Sequence, residues 1–226
     1  MSVQEKTMDV RRLTVTAMLA ALAYAAVLLS HVIFPVKIEG FLSLDIKDSV
    51  MLLGALLYGP VTGFLLALVV SVLELTISTT GWIGLIMNVV SSALFICPTA
   101  GVWRCRKNAR GLALGLIVGT LAMTAGMLLW NLVLTPIYMG VARAFVVGLL
   151  LPVILPFNLL KAALNSALTV MLFRPVQSAL SRARLLPQPE AGEAAPSRAR
   201  RAVTALGGLL VAAALIWAAL KWSGVL

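Results

Sequence analysis

The sequence predicts an all-α membrane protein, a six-helix bundle followed by a seventh apolar helix, and three observations predict it. Of 226 residues, 61% are hydrophobic and only 12% charged, where soluble domains carry about 25% charged residues. Too few polar residues remain to clothe an aqueous surface. The apolar residues gather into runs, several near the roughly 20 residues that a helix needs to cross a hydrocarbon core about 30 Å thick, and the mean hydropathy is +1.03. The basic residues behind the net charge of +10 fall between the runs rather than along one solvated face. They read as topology signals, not as a nucleic-acid footprint.

Irregular chain cannot face lipid, so each run is expected to be a helix. Residues 1–12 form a polar N-terminus, and residues 13–175 hold six runs. The first, Leu13 to Phe34, carries Ala17, Ala21 and Ala25 as a stripe of small residues that would let another helix approach, from this chain or from a partner. A loop from Gly40 to Ser49 alternates apolar and polar residues and could lie over a pocket as a lid. Its Asp48 and Ser49 are expected to cap the next helix. The second and third runs, Ser49 to Tyr58 and Val61 to Ile77, are short and meet at Tyr58-Gly59-Pro60, so they should form a tight helical hairpin. The fourth runs from Ile83 to Val102, the fifth from Leu112 to Leu134 with Gly115 and Gly119 one turn apart, and the sixth from Leu149 to Phe173. A linker is expected over 176–202, rich in Pro, Ala and Arg, and it cannot bury itself. Residues 203–226 add a seventh apolar helix, with Trp217, Lys221 and Trp222 placed as interface anchors.

Six alternating helices put three basic groups on one side: Lys6, Arg11 and Arg12; Arg104, Arg106, Lys107 and Arg110; and Arg174, Arg182, Arg184, Arg198, Arg200 and Arg201. The positive-inside rule makes that side, and the N-terminus, cytoplasmic.

Polar residues inside apolar runs point to a binding site. Asn158, Lys161 and Asn165 are spaced i, i+3, i+7 and share one helix face. A lysine near a helix centre costs about 2.5–3.5 kcal/mol on insertion scales, so Lys161 should point into the bundle toward partners. It can serve a ligand or pair structurally with an acid. Asn131 lies near the outer end of the fifth helix, at a depth similar to Asn158 and Lys161. Together they suit a pocket that takes a small solute from outside. Asn131 alone could equally be an interhelical hydrogen bond, Asp48 a cap, and Glu74 a salt-bridged acid at the end of the third helix.

Some chemistries lack their parts. No Gly-x-x-x-x-Gly-Lys-Ser/Thr loop occurs, so the chain has no phosphate cradle of that kind for ATP. His31 is the only histidine, and Cys97 and Cys105 have no metal-ligand spacing. Asp45 and Asp48 are too sparse for the clustered acids that hold Mg²⁺ on a diphosphate. No enzymatic activity, metal or cofactor is expected.

The segments Leu155-Pro156-Phe157-Asn158-Leu159-Leu160-Lys161, Asn131 followed by Leu134-Thr135-Pro136-Ile137-Tyr138, and Asp45-Ile46-Lys47-Asp48 leading to Gly54 through Pro60 carry a resemblance. Over about residues 10 to 175 the sequence resembles the riboflavin-specific S components of energy-coupling factor (ECF) transporters, the RibU family. The resemblance implies six helices and a vitamin site near the outer face of a prokaryotic cell membrane. It also implies assembly with a transmembrane T component and two ATP-binding cassette ATPases, for which Ala17, Ala21 and Ala25 match the docking surface. It implies that Asn131, Asn158 and Lys161 contact riboflavin, the transported ligand. Leu44, Asp45, Asp48, Glu74, Thr135, Tyr138 and Asn165 complete the candidate ligand set. The linker and seventh run fall outside it. Three readings stay open beside this one: another vitamin or nucleobase-like solute, a membrane enzyme acting on a lipid or isoprenoid, and an assembly subunit without ligand.

Overall fold

The computed structural model describes residues 3–34, 42–78 and 80–186. The seventh apolar run and the linker from residue 187 on lie outside the described residues. Within them the chain is helical: α1 (Val3–Ile33), α2 (Lys47–Tyr58), α3 (Pro60–Glu74), α4 (Gly81–Cys105), α5 (Ala109–Met139), α6 (Arg143–Leu149), a π-helical turn (Leu150–Ile154) and α7 (Leu155–Arg182). The last three run on as one rod of 40 residues, so the bundle has six members. Four of them, α1, α4, α5 and the α6–α7 rod, are long and apolar enough to cross a membrane, and α3 is a shorter apolar helix.

The hairpin expected at Tyr58-Gly59-Pro60 forms with one connecting residue. Gly59 takes φ 101°, a conformation that a β-carbon disfavours, and the Arg104 guanidinium lies 3.3 Å from where that carbon would stand. Pro60 then opens α3 at a position where a missing N–H costs nothing. Arg12 fastens α1 to this turn, donating to Thr62 Oγ1 at 2.6 Å and lying over the Tyr58 ring at 5.6 Å.

α4 and α5 pack through glycine. A β-carbon on Gly115 would come within 2.7 Å of the Thr99 carbonyl oxygen, and one on Gly119 would collide with Thr99 Oγ1 and the Phe95 carbonyl. The small-residue pair on the fifth helix therefore serves a neighbour within this chain. We expect Gly119→Val to force the two helices apart and cost about 1–3 kcal/mol, seen as a lower Tm of the detergent-purified protein.

Two boundaries differ most from the sequence reading. α7 continues to Arg182, past residue 175 where the linker was expected to begin. Val176 and Leu180 pack against the main hydrophobic cluster, so an amphipathic extension has a face to bury. α1 starts at Val3, ten residues before its apolar run. The π turn was not foreseen: the Leu155 N–H reaches back five residues to the Leu150 carbonyl, next to Pro152 and Pro156, which have no N–H to give.

Candidate functional site

The residues 42–46 lead into α2 and pass between α1 and α7. Asp48 and Ser49 were expected to cap α2, but neither does, because the helix already begins at Lys47 and no residue of its own chain end supplies a side-chain cap. The orphan Ser49 N–H is instead met by Asn165 Oδ1 of α7 at 2.8 Å, and the Ile46 N–H by Ser30 Oγ of α1 at 3.1 Å. Asn165 also donates from Nδ2 to the Asp45 carbonyl at 2.9 Å and the Lys161 carbonyl at 3.0 Å. This asparagine is a clamp between α7 and the loop. Removing three hydrogen bonds from a fully buried site with Asn165→Ala should cost about 1–3 kcal/mol, measurable as a fall in Tm.

Five charged side chains meet around that clamp. Lys161 Nζ donates to Asp45 Oδ2 at 2.8 Å and lies 3.7 Å from Asp48 Oδ2; Lys47 Nζ bonds Glu74 Oε2 and lies 3.7 Å from Asp45 Oδ2. The charges alternate along a chain, Glu74, Lys47, Asp45, Lys161, Asp48, with an acid at each end. All five are buried, where unpaired charge is prohibitive and alternation is the arrangement that tolerates it. Ser92 Oγ of α4 donates to Asp48 Oδ1 at 2.5 Å, while Asp48 Oδ2 and Asp45 Oδ1 have no hydrogen-bond donor among the described residues. Burial pushes the Asp45 carboxyl up, but the ammoniums of Lys161 and Lys47 outweigh it and hold the group below the usual carboxylate range.

Beside this chain of charges lies a cavity of about 80 Å³. It sits where α1 and α3 end, α4 begins, α5 ends and α7 begins. Its polar lining is His31, Ser43, Glu74, Ser78, Thr80, Asn88, Ser91, Thr135, Tyr138, Asn158 and Lys161, and its apolar lining includes Leu42, Ile77, Ile83, Met87, Met127 and Phe157. The basic residues Arg11, Arg12, Arg104, Arg106, Lys107, Arg110, Arg182 and Arg184 lie toward the opposite pole of the bundle, in the first third of α1, around the turn from α4 to α5 and at the end of α7.

Of the residues singled out in the sequence, Glu74, Thr135, Tyr138, Asn158 and Lys161 line the cavity. Asn158 donates Nδ2 to the Ile154 carbonyl at 2.8 Å. Asn131 stands behind the lining: it donates to the Met127 carbonyl at 2.7 Å and accepts from Thr135 Oγ1 at 2.8 Å. Asp45, Asp48 and Asn165 hold Lys161 and the loop without lining the cavity, and Leu44 packs with Phe34, Ile154 and Phe157 in a second hydrophobic cluster. Lys161 thus makes the structural ion pair weighed for it and also stands in the cavity wall.

As site residues, sequence reasoning overlooked Lys47, which is 0% exposed, and the polar face of α4. Asn88, Ser91 and Ser92 are spaced i, i+3, i+4 in an apolar helix, the same kind of signal that marked Asn158 and Lys161. Ala17, Ala21 and Ala25 are exposed on α1, so no helix among the described residues covers the stripe.

Comparison with known proteins agrees with this architecture. The family described as ECF transporter, substrate-specific component, matches residues 11–173. The chain is 32% identical over 182 residues to the riboflavin transporter FmnP of Bacillus subtilis (strain 168), covering 74% of this chain and 92% of that protein. It is 29% identical to the riboflavin transporter RibU of Staphylococcus aureus (strain TCH60), covering 76% and 93%. A solved S component of a bacterial ECF transporter superposes with a TM-score of 0.65 at 30% identity, over 77% of this chain and 99% of that one. The reading as a lipid or isoprenoid enzyme falls away with these matches, which are to transporter subunits. A multi-pass bundle with a walled cavity at one pole, matched to the family over helices α1 to α7, leaves one conclusion: this chain belongs to the substrate-specific components of ECF transporters, and it is a membrane transport subunit rather than an enzyme.

Proposed function

We propose that this protein captures riboflavin at the outer face of the cell membrane and delivers it for uptake driven by a T component and two ATP-binding cassette ATPases. The observation that carries this reading is the composition of the cavity wall. Asn158, Asn88 and Lys161 offer donors and acceptors on one part of it, and Met87, Met127 and Phe157 offer apolar surface on another. Isoalloxazine has the same division: its uracil-like edge both donates and accepts, as asparagine does, and its dimethylbenzene end needs apolar cover. The riboflavin transporters among its relatives support the assignment. With the basic pole facing the cytoplasm under the positive-inside rule, the cavity opens outward and the N-terminus lies inside.

Ligand pockets run from about 300 Å³ upward, so a cavity of about 80 Å³ must widen to admit three fused rings. Capture on this reading is coupled to outward movement of the rim.

The test is titration of detergent-purified protein against riboflavin, followed by quenching of flavin fluorescence. Saturable quenching at one site per chain is expected, with a rise in Tm because the ligand binds only the folded state. No quenching and no Tm shift would reject riboflavin and direct the screen to other vitamins.

A further inference from the structure

The face that α3 turns to lipid ends in charge. α3 lies between α1 and α4 and packs against both. What remains uncovered is an apolar stripe, with Val61, Phe64, Leu65 and Leu68 between 39% and 67% exposed, at the i, i+3, i+4, i+7 spacing of one helix face. At the first turn of this stripe an arginine arrives from each flanking helix. Arg12 of α1 is fixed by its bond to Thr62 Oγ1 at 2.6 Å and by the Tyr58 ring at 5.6 Å. Thr62 takes one of the five N–H groups of that guanidinium. Arg104 of α4 lies over Gly59, its Nη1 3.3 Å from where a β-carbon would stand. Both arginines are exposed. The acids Asp45, Asp48 and Glu74 stand at the opposite pole, paired with Lys47 and Lys161.

We propose that the turn between α2 and α3 binds an anionic phospholipid from the leaflet at the basic pole, its phosphate between Arg12 and Arg104 and its acyl chains along Val61, Phe64, Leu65 and Leu68. The proposal goes beyond the reading of the cavity and does not depend on which solute the cavity takes. Guanidinium groups suit phosphate oxygens, which they meet with paired N–H donors. The 15 residues of α3 cover about 22 Å, less than a hydrocarbon core of about 30 Å. A bilayer meets a short segment by thinning toward it, which brings headgroups to the turn. A carboxylate on a protein partner would match the arginines alone, whereas a lipid covers the charge and the stripe below it at once. So placed, the headgroup bridges α1 and α4 across the hairpin and ties that end of the bundle together.

The experiment follows the Tm of the detergent-purified chain, without riboflavin, as dioleoylphosphatidylglycerol, dioleoylphosphatidylcholine or inorganic phosphate is added. The anionic lipid should raise Tm to a plateau, because it binds only the folded state, and the other two should not. Arg104 is the residue to change, since Arg12 also fastens α1 to the hairpin. Arg104→Gln should raise the half-saturating concentration of phosphatidylglycerol about fivefold. Arg184→Gln, which removes the same charge just past α7, should change it by less than about twofold. Four results overturn the proposal. No rise with phosphatidylglycerol means that the lipid does not bind. An equal rise with inorganic phosphate means an anion site without lipid. Equal shifts in the two variants mean diffuse attraction by the whole basic pole. An unchanged lipid response in Arg104→Gln, together with lost co-purification of a T component, assigns the arginine to a protein partner.

Discussion

Lys161→Met should reduce riboflavin affinity by at least about a hundredfold. The side chain lines the cavity, so its loss removes a donor to the ligand, but the larger effect is on its neighbours. Lys161 is the cation nearest Asp48 and the closer of two for Asp45, and removing one partner of a buried ion pair costs about 3–5 kcal/mol. Each 1.4 kcal/mol that appears in binding is a factor of ten. The two contributions separate in the double variant Lys161→Met, Asp48→Asn. That protein should recover much of the lost Tm, since one stranded charge is gone, and still bind riboflavin poorly. Recovery of full affinity along with Tm would mean that Lys161 only holds the fold.

The second large effect concerns assembly and should leave the ligand site alone. On the proposed arrangement the exposed alanines of α1 meet the T component, and Ala21 lies mid-stripe. Ala21→Trp should abolish co-purification with a T component and ATPases, and with it ATP-dependent uptake, while riboflavin binding by the isolated subunit stays within about twofold. Small residues allow backbones to approach closely, and one indole between them removes most of that contact. Retained uptake would move the docking surface elsewhere.

Much of the bundle was legible because lipid imposes simple rules. The runs, the hairpin at Gly59 and the polar face of Asn158, Lys161 and Asn165 each follow from length, a turn dipeptide or a spacing. Lys47 was not legible, since a lysine in a loop between helices reads as solvated, and only its pairing with Glu74, 27 residues on, explains its burial. Asp48 looked like a cap because caps are local; Asn165 supplies that bond from 116 residues away, and no local rule contains it. The polar stripe on α4 was legible in principle by the same spacing used for α7. Asn131 had the right depth, but depth does not distinguish a wall from the layer behind it, where Thr135 stands between.

The π turn between α6 and α7 has a consequence for rotational phase. In an α-helix each residue advances the chain by about 100°, and a π turn absorbs one residue more than the α pattern would. The rod is therefore two helices set out of phase, and each half aims its own face inward: Val146 in one, Phe157 and Leu164 in the other. Losing a single residue between Leu150 and Ile154 would leave the rod long enough to span the bilayer, yet it would turn one half against the other by about that angle. For this segment the count of residues is fixed by angle, with no slack of even one, while membrane thickness would tolerate several.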